Sequence, residues 1–184
     1  MITHNNIIIS AAVLLMSTLL IPAQVAVGKG LVQNSSISLE FGNENRGIIL
    51  PWVTNTSAVS GAVEGTVVYD LSDHKVKTKN ASGWKDLSVD TTGTTIDPQN
   101  STVDLATIQN NVTTENTNAV VRIGTPTATP GILVLEDTNK AMILPRVASP
   151  HLNIINPAPG MMVYDTTAKQ LAVFNGTVWS FWKP

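Results

Sequence analysis

Histidine and acidic side chains are the groups of this chain that could bind a metal or transfer protons. The 184 residues include three histidines, thirteen acidic residues and no cysteine. His4, His74 and His151 are far apart, so none forms the short-spaced pair of a zinc-binding helix. Asp70 and Asp73 lie close to His74 and could form a metal corner. Without cysteine, thiolate metal sites, cysteine nucleophiles and disulfide scaffolds are excluded.

The same residues do not form a recognisable catalytic motif. Neither His74 nor His151 lies in a nucleophile motif, although the members of a Ser-His-Asp triad meet only in the fold. The sequence has no glycine-rich phosphate loop and no obvious carboxylate pair for glycoside cleavage. We therefore predict no catalytic residue, no metal and no cofactor, and expect that the protein is not an enzyme.

An internal repeat decides the architecture that positions these residues. The segment GTVVYD at Gly65–Asp70 returns as GMMVYD at Gly160–Asp165, and each copy closes on a tryptophan, Trp84 or Trp179. Both the tyrosines and the tryptophans are 95 residues apart. The second copy lacks an acid matching Asp73, so we interpret the first turn as solvated rather than metal-binding.

Each copy has the pattern of short strands. The run from Thr66 to Tyr69 is rich in β-branched residues, a turn follows, and residues 75–79 alternate with period two, which predicts an antiparallel hairpin. We expect Asp70 to cap the turn by accepting backbone hydrogen bonds. Ser149-Pro150 predicts an N-cap and the first position of one helical turn, and residues 54–59 give a weaker version.

The fold prediction is mainly β. Two copies of a small antiparallel meander module, 24–88 and 120–184, are joined by a Thr/Asn-rich connector at 89–119. The composition of the connector is typical of a linker. A short helix or a coiled-coil stalk is the alternative, because apolar residues recur at heptad-like spacing: Leu105, Ile108, Val112 and Ala119.

The first 23 residues contain an apolar run from Ile7 to Ile21 followed by Pro22-Ala23-Gln24, which predicts a secretory signal peptide at 1–23. A retained N-terminal anchor is the alternative. The net charge of −2 gives no attraction to nucleic acid. We expect an exported protein with no membrane span after cleavage, located at the cell surface or outside the cell, or alternatively at the periplasmic face of the outer envelope.

The two copies differ on the outer face of the hairpin. Lys75, Lys77 and Lys79 in the first copy should keep that face in water and protect an edge strand. Ala172 and Phe174 at matching positions predict a covered face in the second. An intramolecular core and a partner interface are both compatible with this pattern. Modules of about 60 residues bury little apolar surface, so we expect them to pack on each other or to oligomerise.

Aromatic residues supply the candidate contacts. Tyrosines and tryptophans at repeat-matched positions could stack on sugars, but core packing explains their recurrence more simply. Trp52 has no aromatic counterpart, since Arg146 occupies the matching place. We name Trp52, Phe174 and Trp182 as candidate binding contacts.

The second copy resembles a recurrent module of secreted and surface proteins of the Bacteroidota, and segments of phage tail-fibre-like proteins. The residues that carry this resemblance are Ile123-Gly124-Thr125, Leu135-Glu136, Lys140, Leu144-Pro145-Arg146-Val147, Val163-Tyr164-Asp165, Asn175-Gly176 and Trp179. The first copy departs from the pattern at Lys29 and Trp52. The resemblance implies an exported surface or fibre-associated module with no catalytic residue.

These observations predict a structural or adhesive cell-surface or fibre-associated protein that acts through binding and assembly. An accessory subunit of an outer-envelope secretion or motility complex, and a soluble glycan- or protein-binding module, are the alternatives. The expected partner is a protein or a second copy of the chain, with a surface glycan as a further candidate and no nucleic acid.

Overall fold

The computed structural model describes residues 24–90, 92–97, 99–110, 116 and 118–183. The predicted signal peptide at 1–23, Val112 and the side chain of Ile108 lie outside the described part. Short strands dominate the rest, which confirms the mainly β prediction. The strands are β1 Val25–Val27, β2 Ile37–Phe41, β3 Ile48–Ile49, β4 Trp52–Val53, β5 Val67–Asp70, β6 Lys75–Asn80, β7 Gly83–Asp86, β8 Ile96–Asp97, β9 Asn100–Asp104, β10 Val121–Ile123, β11 Leu133–Leu135, β12 Ala141–Ile143, β13 Arg146–Val147, β14 Met161–Asp165, β15 Gln170–Phe174 and β16 Trp179–Trp182. The helical segments are a 3-10 turn at Thr56–Ala58, α1 Leu105–Asn110 and α2 Pro150–Asn153.

Two sheets contain the predicted hairpins. The first meander has the strand order β4-β5-β6-β7, and the second has β13-β14-β15-β16. In each, a two-residue strand pairs in parallel with the first long strand, and the following pairs are antiparallel. The hairpins are confirmed, while the origin of the two sheets as copies of one module stays an interpretation.

Parallel pairs of strands precede the meanders. We call β1 and β2 with their intervening loop the first arch, and β10 and β11 with theirs the second arch. The strand β12 also pairs in parallel with β2, so the first arch belongs to a three-stranded sheet. Within the described residues the second arch forms a sheet of two strands.

Strands cross between the two halves of the chain. The strand β3, which precedes the first meander, pairs in antiparallel fashion with β14 of the second. The strand β12, which precedes the second meander, pairs with β2 of the first arch. The two predicted modules therefore interlock through shared sheets.

Two clusters of buried side chains stabilise the meanders. The central core lies between them and is formed by Leu50, Tyr69, Val76, Met162 and Val173. The outer core covers the other face of the second meander and is formed by Val147, Ile154, Met161, Val163, Ala172 and Phe174. Successive strand residues point to opposite faces, so β14 and β15 supply both cores. Burying each large side chain stabilises the fold by roughly 1.5–3 kcal/mol. The expectation that the two halves pack on each other is met by the central core.

The connector has secondary structure of its own. The strands β8 and β9 pair as a small antiparallel sheet, and α1 begins at Leu105 directly after β9. Asp104 accepts a hydrogen bond from the Ala106 backbone N–H at 3.0 Å, which caps the start of α1. The short helix considered for the connector is therefore present.

Candidate assembly surfaces

A buried hydrogen bond joins the two meanders at the central core. The Tyr69 side chain is fully buried, and its hydroxyl donates to the Asn175 carbonyl at 2.8 Å. Burial raises the pKa of Tyr69, so the hydroxyl stays a donor at neutral pH. The Trp52 ring packs 5.7 Å from the Tyr69 ring, and its indole N–H donates to the Pro159 carbonyl at 3.0 Å. These contacts fix the first meander against the turn of the second.

The first part of the connector lies between the two hairpins. The Thr94 N–H donates to the Asn175 carbonyl at 3.1 Å. A Cβ added at Gly93 would lie 2.4 Å from the His74 carbonyl oxygen, and one at Gly176 would lie 1.7 Å from that of Thr94. Glycine is required at both positions because backbone approaches backbone there. This part of the connector is packed against both meanders.

A buried aspartate organises each meander. Asp70 accepts a hydrogen bond from the Thr56 N–H at 3.2 Å, and Asp165 accepts one from the Ser149 N–H at 3.1 Å. Each also accepts from the backbone two residues further on, at 2.8 and 2.9 Å. Burial raises the pKa of both carboxyls, but these hydrogen bonds, together with Lys77 beside Asp70, bring the pKa below its ordinary value. The predicted turn-capping role of Asp70 is confirmed, and it extends to holding the helical turn before the hairpin.

The N-cap prediction for Ser149 is partly wrong. Pro150 does begin α2, but the Ser149 side chain makes no capping hydrogen bond. Ser149 has the left-handed conformation, with φ 44° and ψ 65°, whereas a capping residue normally has extended dihedrals. Its hydroxyl instead lies 3.2 Å from that of Thr167, across the turn.

The lysine face of the first meander is not the solvated edge that the sequence suggests. The strand β6 lies between β5 and β7, so it is not an edge strand. Lys77 is 12% exposed and its ammonium lies 3.0 Å from Asp70 and 2.6 Å from Asp73. Lys75 pairs with Asp86 at 2.8 Å. These ion pairs stabilise a polar face at the positions where the second meander has its outer core.

The possible chemistry of these groups is limited by their contacts. Asp70 and Asp73 are both engaged by Lys77, and the His151 ring packs edge-on against Phe181 at 5.7 Å. The described residues contain no group of three or more His, Asp and Glu side chains that could hold a metal. That the whole chain has no catalytic residue stays a prediction.

The three candidate contacts all take part in packing within the chain. Trp52 is half-buried at the central core, and Phe174 is 8% exposed within the outer core. The Trp182 indole N–H donates to the Leu87 carbonyl, and the Lys85 ammonium lies 5.0 Å from the centre of its ring. Phe174 therefore packs in a core within the chain, as the intramolecular interpretation of its apolar face expects. A role for any of the three in binding a partner stays a prediction.

Two exposed apolar patches were not identified from the sequence. On the second arch, Val121 is 58% exposed and Leu133 48%. Near α2, Leu152 and Ile155 are 73% and 85% exposed and lie close in sequence to His151, which contacts Phe181. No local pattern distinguishes Leu133 from its buried repeat partner Ile37, because their exposure depends on which strands lie beside them.

A shallow groove of about 490 Å³ lies beside the second meander. Tyr164, Leu171 and Trp182 line this groove, together with Lys169 and Lys183. The two repeat-matched tyrosines therefore differ in burial. Tyr164 is half-buried and lines the groove, whereas Tyr69 is fully buried in the central core.

One comparison with known proteins concerns the last third of the chain, which contains this meander. Residues 122–183 match the family model described as phage tail like trimerisation region. The match takes in the second arch, β12 and the second meander, and it supports the predicted similarity to phage tail-fibre-like proteins for this part of the chain. The resemblance to surface modules of the Bacteroidota stays a prediction. No curated protein and no solved structure matches the chain.

A helix that crosses a membrane needs about 20 predominantly apolar residues. None of the helices in the described part of the chain is long and apolar enough.

Proposed function

We propose that this protein is a structural subunit that associates with copies of itself, as a trimer, within an exported fibre-like assembly. The observation that carries this proposal is the match of residues 122–183 to the trimerisation region. The exposed apolar side chains of the second arch support it, since contiguous apolar surface commonly marks an interface. In this proposal the protein acts through binding and assembly, without catalysis.

The oligomeric state is the first test. The full chain is expressed, purified and measured by light scattering after size exclusion, over a hundredfold range of protein concentration. The proposal expects a species of three chains that dissociates on dilution. A single-chain mass at every concentration would reject it.

Location is tested separately. Cells that produce the protein are fractionated with and without external protease. Export to the surface predicts recovery with the outer envelope or the medium, and loss after protease treatment. Recovery only from the periplasm, with resistance to protease, would reject the adhesive surface role and favour an accessory subunit of an envelope complex.

A second candidate function is glycan or peptide binding in the groove beside the second meander. The observation that favours it is that two aromatic side chains, Tyr164 and Trp182, line the same groove. Titration with a panel of oligosaccharides, followed by tryptophan fluorescence, should give a saturable change that the Trp182→Ala variant loses. No saturable change with any member of the panel would remove glycans from consideration.

A further inference from the structure

The two arches are matched in sequence but differ in how their second strands are covered. Ile37 and Leu39 of β2 are 3% and 4% exposed, whereas the residue that matches Ile37, Leu133 of β11, is 48% exposed. The difference has a simple cause, because β12 lies along one edge of β2. Among the described residues, the strand that pairs with β11 is β10 alone.

The direction of the backbone groups of β11 shows which edge is open. The Ile132 carbonyl accepts from the Val121 N–H, and the Glu136 N–H donates to the Ile123 carbonyl, both at 2.8 Å. Backbone groups of alternate residues point to the same side of a strand. Leu133 and Leu135 alternate with the residues that face β10. Their N–H and C=O groups therefore point away from β10, toward the open edge.

A buried carboxylate next to β11 also indicates that the second arch is incomplete. The matched Glu40 has a donor for each oxygen, the Lys29 ammonium at 2.6 Å and the Gln33 N–H at 2.8 Å. The Glu136 side chain is 3% exposed, and its Oε2 has no partner within the described residues. Buried polar atoms nearly always have partners. The first arch, which carries a third strand, has no such unsatisfied oxygen.

The strand β12 is the complementary element. It pairs with β2 along one edge, and within the described residues its other edge carries no strand. Met142, in the middle of this strand, is 37% exposed. The strand β12 already pairs in parallel with β2, which is the repeat counterpart of β11. The same parallel pairing is therefore compatible with β11.

We infer that the open edge of β11 in one copy of the chain docks against the open edge of β12 in a second copy. The sheet β1-β2-β12 of one copy then continues into β11 and β10 of the next. This inference rests on the proposed self-association and names the surfaces that carry it. Because each copy offers one edge of each kind, the contact is head-to-tail, and a closed ring of three leaves neither edge exposed.

Two substitutions test the two edges. Leu133→Pro removes a backbone N–H that points to the open edge and leaves the ladder between β10 and β11 intact, and proline is tolerated at edge strands. Met142→Lys places a charge on the edge of β12, which opposes edge-to-edge pairing. The control is Leu31→Lys, at a residue that is 83% exposed in the loop of the first arch.

The readout is mass by light scattering at a concentration where the wild-type chain is assembled. Leu133→Pro and Met142→Lys should each raise the concentration needed for assembly at least tenfold, whereas Leu31→Lys should behave like wild type. Circular dichroism checks that each variant is folded, and Leu133→Lys replaces Leu133→Pro if the latter is not. A folded variant at either edge that assembles like wild type would overturn the inference while the proposed function stands. Dimers of Met142→Lys would also overturn it, since they indicate that β11 pairs with itself. A monomeric wild-type chain would reject the proposed function as well.

Discussion

Replacement of Phe174 by lysine tests whether the outer core is part of the folded monomer. The Phe174 side chain is 8% exposed and packs in the cluster that includes Val147, Ile154 and Ala172. Truncation of a buried phenylalanine costs about 3–5 kcal/mol, and placing an ammonium group in an apolar site adds to that cost. Small domains have only about 5–15 kcal/mol of total stability. We therefore expect Phe174→Lys to remove a fifth or more of the free energy of unfolding.

The matched exchange in the first meander is the control. Lys79 lies at the position that corresponds to Phe174, is half-buried, and makes no ion pair within the described residues. Lys79→Phe should therefore change stability by less than about 1 kcal/mol. The two exchanges replace the same pair of residue types in opposite directions, so they separate the effect of the site from that of the side chain.

The assay is urea unfolding followed by tryptophan fluorescence. The Trp179 ring lies 5.2 Å from the Phe174 ring, so it reports on the outer core directly. With a slope of about 1–3 kcal/mol per molar urea, a loss of 3 kcal/mol lowers the midpoint by about 1–3 M. Equal midpoints for the two variants would refute this reasoning. A destabilisation that disappears when the protein is diluted would instead place Phe174 in an interface between copies.

Three further predictions concern contacts that stabilise the meanders. Tyr69→Phe removes one of two hydrogen bonds to the buried Asn175 carbonyl, which keeps the Thr94 N–H as a donor. The free energy of unfolding should therefore fall by about 0.5–1.5 kcal/mol, and an unchanged urea midpoint would show that water replaces the hydroxyl. Gly176→Ala should destabilise the protein, because its Cβ would lie 1.7 Å from the Thr94 carbonyl oxygen and the backbone φ is +100°. Gly30→Ala is the control, since a Cβ there would have nothing within 4 Å. Equal melting temperatures for the two variants would contradict the packing of the connector. Folding lowers the pKa of Asp165, so the stabilisation from its charge is fully present above the unfolded pKa of about 3.9, begins to fall below it, and is lost as the pH passes through the lower folded pKa. Asp165→Asn should therefore lose stability at pH 7 and lie closer to wild type at pH 3. A constant difference in urea midpoint between the two pH values would show that the charge is not responsible.

The sequence predicted local elements well where a turn residue and a strand pattern coincide. Both hairpins, the turn-capping role of Asp70 and the helical turn at Pro150 follow from side chains that act on their own backbone. The Ser149 cap was predicted wrongly because an Asp165 carboxylate sixteen residues away holds its N–H. The lysine face was interpreted as a protected edge because strand order is invisible to local alternation. The exposed patch on the second arch was missed for the same reason.

What the sequence determined by itself is the hairpin strands of the two meanders and their turns. These depend on interactions between neighbours in the chain, which residue type and spacing describe. Only the tertiary structure decided which strand lies beside which. The strands β3 and β12 occupy matching places in the repeat, yet β3 joins the second meander and β12 joins the first arch. That choice depends on packing between residues that are far apart in the sequence. The burial of both faces of β14 and β15 outweighs the conformational preference of the neighbouring residues. This choice covers the edge of β2 and leaves that of β11 open, which is the edge where we propose that a second copy docks.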